Sequence, residues 1–165
     1  MGDPREHRQE ESGMALSWQG GGMIYLYNLM NAGQWDRVLQ ELGPLLAEDP
    51  NDAQLHLMMG KALRKLDRYA ESEKHLKNAI SLDPEDDDAF VELSLTYWDM
   101  NRLGLADEMV RQALRLNPEN EYSWIIMGQL SLHYDDTQQA LRCADQIKRL
   151  NPESTQAMEI RTRAL

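Results

Sequence analysis

Four prolines recur at a constant interval of 34 residues along the chain. Each follows an acidic or amide residue, and they are Pro50, Pro84, Pro118 and Pro152. An internal period of this length is typical of stacked helix-turn-helix units. Because one such unit cannot bury its apolar face alone, a neighbouring unit must complete the core. The interval therefore predicts an all-α fold built as a linear array of antiparallel helix pairs.

Aligning the chain on these prolines defines four units and a short C-terminal remainder. The units span 19–52, 53–86, 87–120 and 121–154, and a capping helix is expected over 155–165. Each unit ends in a residue with a short polar side chain that suits a helix N-cap: Asp52, Asp86, Asn120 and Ser154. Such a side chain accepts a hydrogen bond from a free N–H group of the next helix. The proline two residues earlier cannot continue the preceding helix. Each junction therefore predicts the end of one helix and the start of the next.

Columns of similar residues run through the units. The eighth position is small, where two helices must approach closely, and holds Gly60, Ser94 and Gly128. The second helix of each unit repeats an apolar stripe at spacings of four and three residues, which places the stripe on one helical face. Its members are Ser72, Leu76 and Ala79; Ala106, Val110 and Ala113; and Ala140, Ala144 and Ile147.

These columns resemble the tetratricopeptide repeat, whose pattern has an aromatic residue near the start, a Leu-Gly pair, a tyrosine, two alanines and a closing proline. The residues that match are Gly60, Tyr69, Ala79 and Pro84; Phe90, Tyr97, Ala106, Ala113 and Pro118; and Trp124, Gly128, Ala140 and Pro152. The resemblance covers 19–165 and implies a right-handed superhelical solenoid of antiparallel helix pairs. It also implies a protein-binding scaffold that is not an enzyme, without indicating a particular partner.

The pattern weakens in the first unit. Glycines at 20–22 stand where its first helix should begin, so we expect that helix to start near Met23. Gly43 and Pro44 fall inside its second helix, and proline removes a backbone hydrogen bond there. We therefore expect a kink or an early break at this point. The mostly charged and polar residues 1–18 are expected to form a disordered arm.

The C-terminal remainder is expected to complete the packing of the fourth unit. That unit has lost bulk at Ser131, Thr137 and Ala144. Met158 and Ile160 are the apolar residues of 155–165 that we expect to contact it.

The resemblance also assigns the second, fifth, ninth and twelfth positions of each unit to the concave face. The candidate groove residues are Met23, Tyr27, Met30, Leu57, Lys61, Arg64, Val91, Leu95, Trp98, Tyr122, Ile125, Gln129 and Leu132. Since solvent-facing helix positions are normally polar, the apolar members predict an exposed patch that needs a partner. The alternative is that the superhelix closes on itself, or that the arm or the final helix covers the groove.

Charged residues in the candidate groove have two interpretations. Some members of the family hold a peptide carboxylate with Lys, Asn and Arg side chains, and this clamp is absent because the corresponding positions are Met23, Tyr27, Met58, Asp88 and Glu92. Lys61 and Arg64 lie one turn apart and either attract an acidic group of a ligand or pair with the protein itself. Glu92 and Asp99 on the adjoining helix are the expected partners in the second case.

Composition excludes several other functions. The chain has 17 basic and 28 acidic residues, a net charge of −11 that would repel nucleic acid and anionic lipid. No apolar run is long enough to span a membrane. The single cysteine, Cys143, allows no internal disulfide, so the cytoplasm is the expected location. The histidines are scattered, and His56 fits a core position better than a catalytic or metal site. We therefore expect no cofactor, no metal and no enzymatic activity.

Two classes of function follow from these observations. The first is an adaptor or chaperone that captures a segment of another protein in the groove. A specific version is a chaperone of type III secretion translocators, because this acidic chain of repeats resembles that group in size and build. The second is a module that self-associates as a homo-oligomer or assembles into a larger machine.

Overall fold

The computed structural model describes residues 22–165, and the arm expected over 1–18 lies outside them. The described residues form nine helices and no strand, which confirms the all-α prediction. The helices are α1 (Met23–Asn31), α2 (Trp35–Glu48), α3 (Ala53–Lys65), α4 (Tyr69–Leu82), α5 (Asp87–Asp99), α6 (Leu103–Leu116), α7 (Glu121–His133), α8 (Thr137–Leu150) and α9 (Thr155–Ala164).

The helices stack in chain order as a right-handed superhelical solenoid of antiparallel pairs. Within the units α3 packs on α4, α5 on α6 and α7 on α8, and between units α4 packs on α5 and α6 on α7. The final helix, α9, packs against both α8 and α7. Every helix pair therefore buries its apolar surface partly inside its own unit and partly against the next one.

Four of the described helices begin with a side-chain cap, which is Asp136 for α8 and a predicted residue for the other three. The hydrogen bonds run from Leu55 N to Asp52 at 3.0 Å, from Asp88 N to Asp86 at 3.0 Å and from Ser123 N to Asn120 at 3.1 Å. Ser154 makes no such bond at the start of α9. The predicted caps are thus confirmed at three of four positions.

A second column of residues fixes the turn inside each unit. Gly33, Asp67, Asn101 and Asp135 have φ of 68°, 59°, 57° and 54°, and they are spaced 34 residues apart. This left-handed conformation is tolerated by glycine, asparagine and aspartate better than by other residues. This column was not predicted because Asp and Asn also occur in ordinary loops. The second, third and fourth units therefore each have a side-chain cap at their start and a left-handed residue between their two helices.

The eighth-position column does bring two helices close together. A Cβ on Gly60 would lie 2.5 Å from Leu76 Cγ, and one on Gly128 would lie 2.8 Å from Ile160 Cδ1. Ser94 occupies the same column, and its hydroxyl donates a hydrogen bond of 2.8 Å to the Ala106 carbonyl. The stripe on the second helices is fully buried as predicted.

Proline 44 does not end its helix. Of the two expected outcomes, the early break is wrong, because α2 continues through Pro44 to Glu48, and the kink stays a prediction. Gly43 and Pro44 are exposed, while Leu42 is buried and Leu45 packs against the N-terminal core cluster. Water can reach the carbonyl that proline leaves without a donor, so the apolar contacts on either side keep the helix intact.

The predictions for the first and last helices of the array are confirmed only in part. The first helix does begin at Met23, with Gly22 as its N-cap. In α9, Ile160 is fully buried, as predicted, whereas Met158 is 56% exposed. The expected contact from Met158 is wrong because the buried face of α9 runs through Ala157, Ile160 and Ala164.

The close approach at Gly128 provides a test of the packing. We expect Gly128→Leu to lower the free energy of unfolding by about 1 to 3 kcal/mol, because the new side chain must displace Ile160. Urea denaturation measures this change. Gly104→Ala in α6 is the matched control, since a Cβ there meets no atom within 4 Å. An unchanged midpoint for Gly128→Leu would contradict the close packing of α7 against α9.

Two histidines form a pair between α3 and α4, of which His56 is buried and His75 is half-buried. The Nδ1 atoms of His56 and His75 lie 3.0 Å apart, and His56 Nε2 lies 3.0 Å from the Pro50 carbonyl oxygen. Since a carbonyl only accepts, His56 Nε2 carries the proton and His75 Nδ1 donates to His56. Burial, His56 and Lys74 lower the pKa of His75, and Glu71 partly opposes this shift. The predicted core position of His56 is confirmed.

The histidine pair makes stability depend on pH. Because the pKa of His75 is lower in the folded chain, the unfolded chain binds more protons and acid favours unfolding. This contribution is complete above the unfolded pKa of about 6.5 and decreases as the pH falls through that value. We expect His75→Gln to flatten the fall of the urea midpoint between about pH 7 and pH 5.

The exposed His133 at the end of α7 supplies the control for this test. We expect His133→Gln to leave the pH dependence as it is in the parent chain. An equal slope in the parent chain and in His75→Gln would contradict the assignment to the pair.

Candidate binding groove

An open cavity of about 200 Å³ lies on the inner side of the array. The first helices of the units, α1, α3, α5 and α7, supply its walls. Its lining residues are Tyr27, Met30, Gln54, Leu57, Met58, Lys61, Asp88, Val91, Glu92 and Tyr122. We call this cavity, with these residues, the groove pocket. Six of the thirteen predicted groove residues therefore meet in one place.

The floor of the groove pocket is apolar and well packed. Met30, Leu57 and Val91 are only 8%, 7% and 4% exposed. The expectation of a broad exposed apolar surface is wrong for these three residues. Leu57 and Val91 belong to the same buried cluster, because neighbouring first helices pack side by side and cover much of their inner faces.

Two tyrosines form the exposed part of the pocket wall. Tyr27 on α1 is 47% exposed and Tyr122 on α7 is 50% exposed. The Gln54 amide donates a hydrogen bond of 3.3 Å to the Tyr27 hydroxyl, which holds that ring against α3. A tyrosine side chain combines a large apolar ring with a polar hydroxyl group. The exposed parts of both tyrosines are available to a ligand here.

The cations of the groove are paired within the protein. Lys61 Nζ lies 3.2 Å from Glu92, and Arg64 lies 3.1 Å from both Glu92 and Asp99. Of the two interpretations from the sequence, internal pairing is therefore confirmed. Burial disfavours the charge of Arg64, but Glu92 and Asp99 more than offset it, so the pKa of Arg64 lies above its usual value.

Burial distinguishes this charge cluster from the ion pairs on the outer surface. The side chains of Arg64 and Glu92 are 10% and 9% exposed. We expect Glu92→Ala to lower the free energy of unfolding by about 3 kcal/mol, because Arg64 loses its main partner in a buried site. Glu71→Ala is the matched control, since Arg68 and Glu71 form a bidentate pair on the surface of α4.

For Glu71→Ala we expect a much smaller loss, because an exposed ion pair contributes little to stability. Thermal and urea unfolding of both variants measure the difference. Equal losses would contradict a role of the buried cluster in joining α3 to α5.

The other predicted groove residues lie outside the groove pocket. Leu95 and Trp98 pack against the central core cluster, and Met23 packs against the N-terminal one. Ile125 and Leu132 pack against the C-terminal cluster, which includes α9.

Residues of α9 also take up part of the inner face of α7. The Gln129 side chain accepts a hydrogen bond of 3.0 Å from Arg163 on α9. The final helix thus occupies part of the inner surface that the repeat pattern had assigned to a ligand.

Four residues of the groove pocket are absent from the thirteen candidate groove residues. Gln54 and Asp88 were nevertheless expected on the concave face, because they occupy the second position of their units. Met58 and Glu92 both occupy the sixth position, next to Leu57 and Val91. This recurrence 34 residues apart is the signal that identifies them.

The described residues offer little for catalysis. They contain no cluster of three or more His, Cys, Asp or Glu side chains that suits a metal ion. Burial raises the pKa of the Cys143 thiol to about 11, which keeps it protonated and unreactive. In the same part of the chain, no helix is long and apolar enough to cross a membrane.

Comparisons with known proteins agree with the repeat architecture. Two tetratricopeptide repeat family models match residues 29–89 and 87–120. No curated protein matches the chain by sequence.

Solved structures share the fold at low sequence identity. One of them is the crystal structure of the MamA protein, which has a TM-score of 0.74 and 18% identity over 86% of this chain and 78% of its own. A chain of the APC/C hetero-tetramer Cut9-Hcn1 has a TM-score of 0.79 and 17% identity over 86% of this chain and 29% of its own.

A further similar structure was solved with a peptide. The first tetratricopeptide domain of Spaghetti (RPAP3), bound to an HSP90 peptide, has a TM-score of 0.65 and 15% identity over 68% of this chain and 89% of its own. The family models and the shared architecture lead to one conclusion: the chain belongs to the tetratricopeptide repeat family.

Proposed function

We propose that this protein is a non-enzymatic scaffold that captures a segment of a partner protein in the groove pocket. The observation that carries the proposal is the cavity of about 200 Å³ with an apolar floor and two half-exposed tyrosines in its wall. Tetratricopeptide repeat proteins typically bind other proteins, and one structural neighbour holds a peptide.

The burial pattern supports a local binding site rather than a long apolar channel. Leu57 and Val91 serve both the core and the pocket floor, so the floor is rigid. Tyr27 and Tyr122 supply most of the area that a ligand removes from water. Aromatic side chains in such positions carry a large share of binding energy in other interfaces.

A selection from a library of displayed random peptides tests this function. Peptides that bind the chain are titrated by calorimetry against the parent chain and Tyr122→Ala. We expect Tyr122→Ala to weaken binding by about 2 kcal/mol, because its ring loses contact with the peptide.

Tyr134→Ala is the matched control. Tyr134 is 51% exposed, against 50% for Tyr122, and follows α7 at its far end, outside the groove pocket. We expect this change to leave peptide affinity unaltered. Selected peptides that bind both variants equally well would contradict the groove as the binding site.

Self-association is the second candidate function. Met158 on the last helix is 56% exposed and gives the C-terminal end of the array an apolar contact point. If copies join there, sedimentation will show a mass that rises with concentration, and Met158→Lys will abolish the rise. A role as a chaperone of type III secretion translocators stays a prediction from the sequence.

A further inference from the structure

One acidic side chain in the groove pocket lacks a cationic partner among the described residues. Asp88, near the start of α5, lines the cavity. The ion pairs that residues 22–165 form in this region go to Glu92 and Asp99 instead. Within residues 22–165, the Asp88 carboxylate therefore lines the cavity with no lysine or arginine at ion-pair distance.

The charges around Asp88 determine what the groove pocket attracts. Its walls carry one cation, Lys61, and two carboxylates, Asp88 and Glu92. Lys61 already lies 3.2 Å from Glu92. An acidic ligand would have to break that ion pair, whereas a basic ligand finds Asp88 available. The net charge of −11 also attracts a basic segment toward the protein.

The size of the cavity limits the apolar part of the ligand. A dry cavity of about 150 Å³ is known to hold one benzene molecule. The groove pocket, at about 200 Å³, has room for one side chain of the size of leucine, methionine or phenylalanine. Met30 and Met58 in its wall are flexible and adapt to more than one such shape.

From these three features we infer that the groove pocket binds a basic peptide segment of a partner protein. One apolar side chain of the segment packs over Leu57 and Val91, and an adjacent lysine or arginine pairs with Asp88. This inference rests on the proposed function, and it adds the chemistry of the partner.

The environment of Asp88 agrees with this assignment. Burial and the neighbouring Asp87 raise the pKa of Asp88, Lys61 opposes them, and Glu92 adds to the rise. A cation from the ligand would stabilise the ionised carboxylate and offset these effects.

Changing the charge of residue 88 and of the basic residue in the peptide tests the inference. The probes are synthetic copies of the selected peptides that lose affinity for Tyr122→Ala. Each peptide is acetylated at its N-terminus and amidated at its C-terminus. Two further versions of each peptide carry glutamine or glutamate in place of the basic residue. Fluorescence anisotropy measures their affinity for the parent chain, Asp88→Asn and Asp88→Lys.

Glu108→Gln is the matched control for the loss of one carboxylate. Glu108 is exposed on α6, outside the groove pocket, and none of the ion pairs among residues 22–165 includes it. Thermal melts confirm that every variant is folded before binding is measured.

We expect Asp88→Asn to weaken binding of the basic peptides about three- to tenfold and to leave the glutamine versions unchanged. Asp88→Lys should reverse the preference toward the glutamate versions, and Glu108→Gln should change nothing.

The results separate the inference from the proposed function. If the peptides that depend on Tyr122 are acidic, or if Asp88→Asn leaves their affinity unchanged, the inference is wrong and the binding function stands. If no selected peptide depends on Tyr122, both are wrong.

Discussion

The structure depends on the close approach of helices at one position in the second, third and fourth units. At Gly60 and Gly128 the backbone of a first helix comes so near a neighbouring side chain that no Cβ fits. This approach allows the apolar stripe of the second helix to be buried completely. Because each unit then leaves apolar surface for the next one to cover, stability is shared between neighbours along the array. The last described helix, α9, covers the fourth unit with Ile160.

The same stacking creates the groove pocket and sets its charge. Side-by-side packing of α3 and α5 buries Leu57 and Val91 and brings Arg64 against Glu92. The acidic residues that remain on the inner face then outnumber the available cations. A surface that family resemblance alone would describe as apolar is therefore a small apolar pocket with a polar, acidic wall.

Much of the fold was predictable because its determinants are local and periodic. Prolines and caps act within a few residues of where they occur, and the small eighth position recurs with the same 34-residue period. The inner surface was harder to predict, because the burial of Met30 and Val91 depends on the angle between successive units. Pro44 shows the reverse case, where exposed backbone and flanking leucines override a strong local signal. The pairing of Arg64 with Glu92 was one of two alternatives that residue spacing alone left open.

Cys143 offers a chemical reporter of motion at the C-terminal end. Its side chain is fully buried, and its Cβ lies against the site of Gly128 beneath α9. An alkylating reagent reaches this sulfur only when α9 or α8 moves away. The rate of thiol modification in the folded chain therefore counts how often the last helices separate from the array, without any label being introduced.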